Sequence, residues 1–219
     1  MARVILVYGQ PASGKTFALR NLDPETTCII DADKKGALPW RGWKKFYGED
    51  KKNFYPIRDL QTIIKWIDII GNPEKQTKIR TLVIDGLSTA MGFAKAFLSD
   101  KSYHGWEELG KTILSVVDHA KDARKDLDVI LIAHVTVADP NAPTDIDRIK
   151  TPGKMADSTA HMESLVINAF YAKCVDGKYF FETQGNRSSA RSPEGCFDFQ
   201  IPNDMKFIID TLNTYDPGD

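Results

Sequence analysis

Four stretches of the chain are apolar at every position: Val4–Tyr8, Cys28–Ile30, Leu82–Ile84 and Val129–Ala133. Short runs without polar alternation predict strands covered on both faces, as in a parallel sheet sandwiched by helices. Between them the spacing turns helical. Leu60, Ile63, Ile64, Ile67 and Ile70 recur at one face of a 3.6-residue period, and so do Trp106, Leu109, Ile113, Val116, Val117 and Ala120. Leu87, Met91, Ala94 and Leu98 mark a further helix behind the third strand. Strands that alternate with helices predict βαβ units with right-handed crossovers. After Ala133 the texture changes, and residues 135–160 are polar and rich in Pro, Asp and Thr. "LVINAFYAKCVDGKYFFET" then reads as two strands turned at Asp176-Gly177, a hairpin signal. Met205–Leu212 reads as a closing helix with Asp204 as its N-cap. The expected fold is α/β: a mostly parallel sheet flanked by helices, with a C-terminal β-hairpin extension. Residues 1–219 are read as one domain, with a core at 1–134, a loop at 135–160 and the extension at 161–219.

Composition narrows the possibilities. A chain of 219 residues that is 42% apolar can bury a sizeable core. The formal net charge of -1 excludes a global basic field, so any nucleic acid must be met by a local patch. Cys28, Cys174 and Cys196 are scattered and form no CxxC pair, which points to a reducing compartment and away from a disulfide framework or zinc site. The apolar opening is too short for a signal peptide core or a membrane span, so a cytoplasmic protein without a membrane partner is expected.

Chemistry concentrates at strand ends. Gly9-Gln10-Pro11-Ala12-Ser13-Gly14-Lys15-Thr16 follows the first strand and matches G-x-x-x-x-G-K-[ST], a phosphate-binding loop. Small residues let backbone N–H groups point inward at an anion, and a helix over "TFALRNL" is expected to add its positive N-terminus. Lys15 would reach the β- and γ-phosphates of ATP, and the Thr16 hydroxyl would bind Mg²⁺. Asp85, at the end of "TLVID", is the second metal-ordering carboxylate; its plainer role is to cap the next helix. Asp31 and Asp33 end the second strand. Strand alternation aims Asp31 at the flank and Asp33 at the nucleotide, where it could polarise the attacking water; a solvated acidic turn is the alternative. His134 is the first polar side chain after the last core strand and is a candidate γ-phosphate sensor, or else a core histidine bonded to backbone.

Two further stretches could touch nucleic acid. In the loop after His134, Arg148, Lys150 and Lys154 could meet phosphates, and Gly153 would allow close approach. Asp139, Asp145 and Asp147 dilute that charge, and a mobile lid is the competing reading. Trp40, Trp43, Phe46 and Tyr47 alternate with Arg41, Lys44 and Lys45. Stacked bases would suit them, but a packing or subunit surface ranks first.

"GQPASGKT", "CIIDADKKGAL", "TLVIDGLSTA" and "VILIAHV" come in the order of a RecA-like P-loop ATPase core, which they resemble over residues 1–134. "TPGKM" and "YFFETQGNRSSARSPEG" extend the likeness to the small phage-encoded RecA-like ATPases grouped with single-strand annealing and recombination. The resemblance implies an ATPase using ATP and Mg²⁺, with catalytic roles for Lys15, Asp33 and His134. Asp33 stands where the family usually carries Glu, and His134 where recombinases usually carry Gln. It also implies single-stranded DNA as partner, self-association into a ring or filament, and host-cell cytoplasm. A single-strand-binding protein is a further candidate partner. Sites of this family lie between subunits, so a neighbour's arginine is expected at the γ-phosphate. Arg187 and Arg191 are the candidates, with Lys154 in reserve. Two alternatives stay open: a small-molecule kinase of the P-loop class, and a nucleotide-gated DNA-binding module with little turnover.

Overall fold

The computed structural model describes residues 1–75, 77–97, 102–142, 144–152 and 161–215. In chain order the elements are β1 (Arg3–Gly9), β2 (Thr27–Asp31), β3 (Phe54–Tyr55), α1 (Leu60–Gly71), β4 (Thr81–Asp85), α2 (Leu87–Ala96), α3 (Tyr103–Asp122), β5 (Asp128–Thr136), β6 (Arg148–Ile149), β7 (Asn168–Val175), β8 (Lys178–Glu182), β9 (Gln200–Pro202) and α4 (Met205–Tyr215). The strands lie in the order β3-β2-β4-β5-β1-β7-β8-β9, with β6 paired to the end of β5. Every pairing from β3 across to β7 is parallel, and β8 and β9 then add antiparallel strands. The expected class, a mostly parallel sheet flanked by helices and extended by a hairpin, is the one found.

The continuous apolar runs are explained by burial on both faces. Val4, Leu6 and Tyr8 point to the side of α1 and α3, where they join Ile63, Ile67, Ile113 and Val117. Ile5 and Val7 point the other way, to Leu19, Ile208 and Leu212. Each helix brings one apolar stripe, so the spacing read from the sequence corresponds to the buried positions of α1 and α3. The Asp59 side chain starts α1 by accepting from the Thr62 amide at 2.8 Å. Leu98, placed on the stripe of α2, lies outside the described residues.

The hairpin turns where expected. Asp176 (φ 50°) and Gly177 (φ 76°) both take the left-handed conformation that matches the twist of the flanking strands. The hairpin is locked to the core by Phe170 of β7, which is fully buried. Its ring meets Phe181 of β8 at 6.3 Å and Phe197 at 5.3 Å between centroids. Phe170→Ala is therefore expected to cost about 3–5 kcal/mol, read as a lowered urea midpoint at unchanged slope; a loss below about 1 kcal/mol would separate the hairpin from the core.

Two expectations need correction. "TFALRNL" forms only a five-residue 3-10 turn, Phe17–Asn21, rather than an α-helix. Pro24 lacks an amide donor, and the Asp23 side chain already accepts from the Glu25 amide at 3.0 Å, so no second helical turn can build. The short turn docks its Ala18 and Leu19 into the core instead. The last core strand also runs past the expected boundary at 134: β5 continues to Thr136, and Val135 and Thr136 pair with Ile149 and Arg148. β3, β6 and β9 were not anticipated, because two or three residues are too few to show a period. Among the described residues no helix is long and apolar enough to cross a membrane.

Candidate functional site

Parallel pairing brings the polar strand ends to one edge. Gly9 lies level with His134, and Asp31 level with Asp85. Ligands of open α/β sheets gather at this edge. Here it opens into a cavity of about 1050 Å³ lined by Pro11–Phe17, Asp33, Lys35, Asp85, Thr89, His134 and Tyr179. That volume holds a nucleoside triphosphate.

The loop from Gly9 to Thr16 is shaped by close approach. A Cβ on Gly9 would strike the Ala172 carbonyl of β7. Gly14 takes φ +87°, and a Cβ there would meet the Tyr179 ring and the Asn203 amide. The Lys15 ammonium folds back onto its own loop, donating to the Gly9 carbonyl at 2.9 Å and the Gln10 carbonyl at 2.6 Å. Burial disfavours its charge and lowers its pKa to about 8, although the Asp85 carboxylate pulls the other way.

Thr16 donates its hydroxyl to Asp85 at 2.8 Å. Burial raises the Asp85 carboxyl to about 6, against the opposing effect of that hydrogen bond. A buried carboxylate beside a hydroxyl oxygen suits a hard divalent cation, so these two residues fit Mg²⁺. Among the described residues no group of three or more acidic, His or Cys side chains is placed to hold a metal. Such a site would need phosphate oxygens to complete it, as Mg²⁺ sites commonly do.

Asp33 faces the cavity and Asp31 does not. Asp31 instead accepts from the Gly36 amide at 2.8 Å, which shapes the loop that follows. Both Asp33 oxygens are engaged: one accepts from the Thr89 hydroxyl, and the other lies 2.5 Å from the Lys35 ammonium. Burial pushes its pKa up, but Lys35 and Thr89 outweigh burial and the net shift is down. His134 lines the cavity, and its Nδ1 is buried without a hydrogen-bond partner. Burial, then the Lys15 charge, lowers its pKa, which favours the neutral imidazole.

Of the residues proposed for DNA and for a neighbouring site, those among the described residues do not line the cavity. Arg148 is half-buried against the His161 ring. Lys150 is exposed; its main chain donates to the His134 carbonyl at 2.8 Å. Lys154 and Gly153 lie outside the described residues. Arg187 and Arg191 are exposed and line none of their own chain's cavity. The acids among these basic residues build the loop: Asp147 accepts from the Ala138 amide at 2.8 Å and from the Tyr171 hydroxyl at 2.7 Å, and Asp145 from the Asp139 amide at 2.9 Å. Trp40 packs edge-on to the buried Tyr47, and Trp43 against Phe54, so these aromatics largely face the core; Phe46 remains exposed.

Four residues at the site escaped the sequence reading. Lys35 stands within "CIIDADKKGAL", but nothing separates it from a solvated lysine until the loop folds. Thr89 lies one helical turn beyond Asp85, a spacing that could have placed it near the cavity. Ser88 accepts from the His134 amide at 2.9 Å and donates to the Lys150 carbonyl at 3.2 Å, tying the cavity edge to the returning loop. Tyr179 comes from the hairpin and carried no local signal at all.

Residues 1–192 match a family model described as an AAA domain. No curated protein matches the chain.

Proposed function

The chain belongs to the AAA-domain family, a class of P-loop ATPase domains, and on that premise we propose that it hydrolyses ATP in a Mg²⁺-dependent, DNA-stimulated cycle on single-stranded DNA, in recombination or strand annealing. The observation that carries the nucleotide part is the Thr16–Asp85 hydrogen bond of 2.8 Å at the head of the cavity, formed between residues 69 positions apart. Bound Mg²⁺ would supply charge neutralisation of the phosphates. The chain's own groups do the remaining work. Loop amides and Lys15 cradle the phosphates. Asp33 orients the attacking water and takes its proton. The low-dielectric pocket strengthens each of these interactions.

The DNA part is supported by connectivity. His134 sits at the cavity, and the exposed Lys150 is bonded to it through the main chain and through Ser88. A change at His134 on triphosphate binding is thereby passed to a basic surface position. Self-association would let the exposed Arg187 or Arg191 of one copy approach the cavity of the next. Phage origin and a host-cytoplasmic setting belong to this same reading.

An ATPase assay with and without single-stranded DNA tests it. The expected result is Mg²⁺-dependent ADP release that rises when DNA is added. ADP release that requires a small-molecule acceptor would make the protein a kinase instead. Tight ATP binding without turnover would make it a nucleotide-gated binding module.

A further inference from the structure

The cavity holds a second cation that no motif accounts for. Lys15 donates to loop carbonyls. Among the described residues no arginine lines the cavity, and Lys35 is the other lysine that lines it. Its position is built. Lys34 (φ 55°) and Gly36 (φ 64°) flank it in left-handed conformations, which makes a tight turn directly after Asp33. Asp31 closes that turn through the Gly36 amide at 2.8 Å. The Arg58 guanidinium clamps its base, donating to the Ala32 carbonyl at 3.0 Å and the Asp33 carbonyl at 2.7 Å. The backbone is held and the side chain is free to swing: the Lys35 side chain is 57% exposed, whereas that of its partner Asp33 is 12% exposed.

The pairing has a cost for catalysis. With Thr89 donating to one oxygen and the Lys35 ammonium 2.5 Å from the other, a water at Asp33 would compete with a tightly held cation. An ammonium on a flexible stem is a mobile point charge, and a γ-phosphate offers it more negative charge than one carboxylate. Against burial, the carboxylates of Asp85 and Asp31 add to the attraction of Asp33 and raise the Lys35 pKa, so the ammonium keeps its charge.

We infer that Lys35 is a γ-phosphate ligand supplied in cis, which leaves Asp33 when a triphosphate binds and so frees the carboxylate for the attacking water. This rests on the ATPase reading above. With Lys35 on the γ-phosphate, the water oxygen bonds to the γ-phosphorus and the bond to the bridging oxygen breaks. That electron pair stays on ADP, and the water's proton goes to Asp33. After phosphate leaves, Lys35 returns to Asp33. ADP has no γ-phosphate, so it cannot draw Lys35 away.

Calorimetric titration of the full chain with the Mg²⁺ complexes of ADP and of a non-hydrolysable ATP analogue tests the inference. Lys35→Met should weaken the triphosphate analogue by about tenfold to a hundredfold, the value of a charge-assisted hydrogen bond. It should leave ADP within about twofold, and Lys35→Arg should recover most of the difference. The exposed side chain makes the variants tolerable to the fold, and circular dichroism checks that. If wild type prefers the triphosphate and Lys35→Met keeps that preference, the cis-ligand inference is overturned while the ATPase reading stands. If wild type binds neither nucleotide, both fall together.

Discussion

Lys15→Ala should abolish the thermal protection expected from Mg-ATP, while leaving the nucleotide-free protein folded. Both halves follow from the geometry. The ammonium is nearly buried among the carbonyls of its own loop, and burial lowers its pKa to about 8. Its charge is therefore disfavoured in the folded state, so the ammonium is not a large source of folding stability. The loop conformation is held separately, by Gly14 at φ +87° and by the packing of Gly9 against Ala172. What would be lost is the lysine that the loop motif assigns to the β- and γ-phosphates. Ligand at a hundred times its Kd stabilises wild type by about 2.7 kcal/mol, a shift of several degrees that a thermal melt resolves. The same melt on Lys15→Ala should show no shift. Full protection of that variant by Mg-ATP would remove the phosphate-loop reading.

Asp33→Asn should keep nucleotide binding and lose hydrolysis by about a hundredfold to ten-thousandfold, the range of a general base. Asparagine has nearly the same shape, and its amide oxygen can still accept from the Thr89 hydroxyl. It cannot take a proton from water. Despite burial, Lys35 and Thr89 hold the Asp33 pKa below the ordinary carboxylate value in the nucleotide-free protein, so the group is ionised. The sign follows directly. A lowered pKa keeps the carboxylate ionised further into acid in the nucleotide-free protein. Withdrawal of Lys35 by the triphosphate lifts its share of that lowering, so turnover limited by this group should fall off at a higher pH than the nucleotide-free group titrates. Single-turnover hydrolysis measured against pH reads both effects. Unchanged turnover in Asp33→Asn would hand the role of base to another group.

Much of this was legible in the one-dimensional pattern. The runs at Val4, Cys28, Leu82 and Val129 lie within four central parallel strands, because a strand covered on both faces has no reason to alternate. The stripe from Leu60 to Ile70 became α1 for the converse reason. Asp176-Gly177 became the hairpin turn because few other pairs accept two consecutive left-handed residues. The helix over "TFALRNL" was misread: the residues tolerate helix, but Pro24 follows too soon for a second turn. Asp139, Asp145 and Asp147 looked like charge dilution and serve as the hydrogen-bond acceptors that shape the loop.

The sequence by itself determined four core strands, the hairpin and the polar residues at the strand ends, and that eight contiguous residues match a phosphate-binding loop. These are properties of neighbours along the chain: periodicity, turn chemistry and small side chains. Only the tertiary structure decided which strand ends meet. Thr16 reaches Asp85 across 69 positions, and Asp33 reaches Thr89 across 56. Tyr179 enters the cavity from a hairpin that follows β7, and Lys35 becomes a partner of Asp33 through a turn closed by Asp31. Apolar spacing records which face of an element is buried but not against what. Strand order is set by how the crossovers pack on the two faces of the sheet, and the juxtapositions that make the site come from that packing.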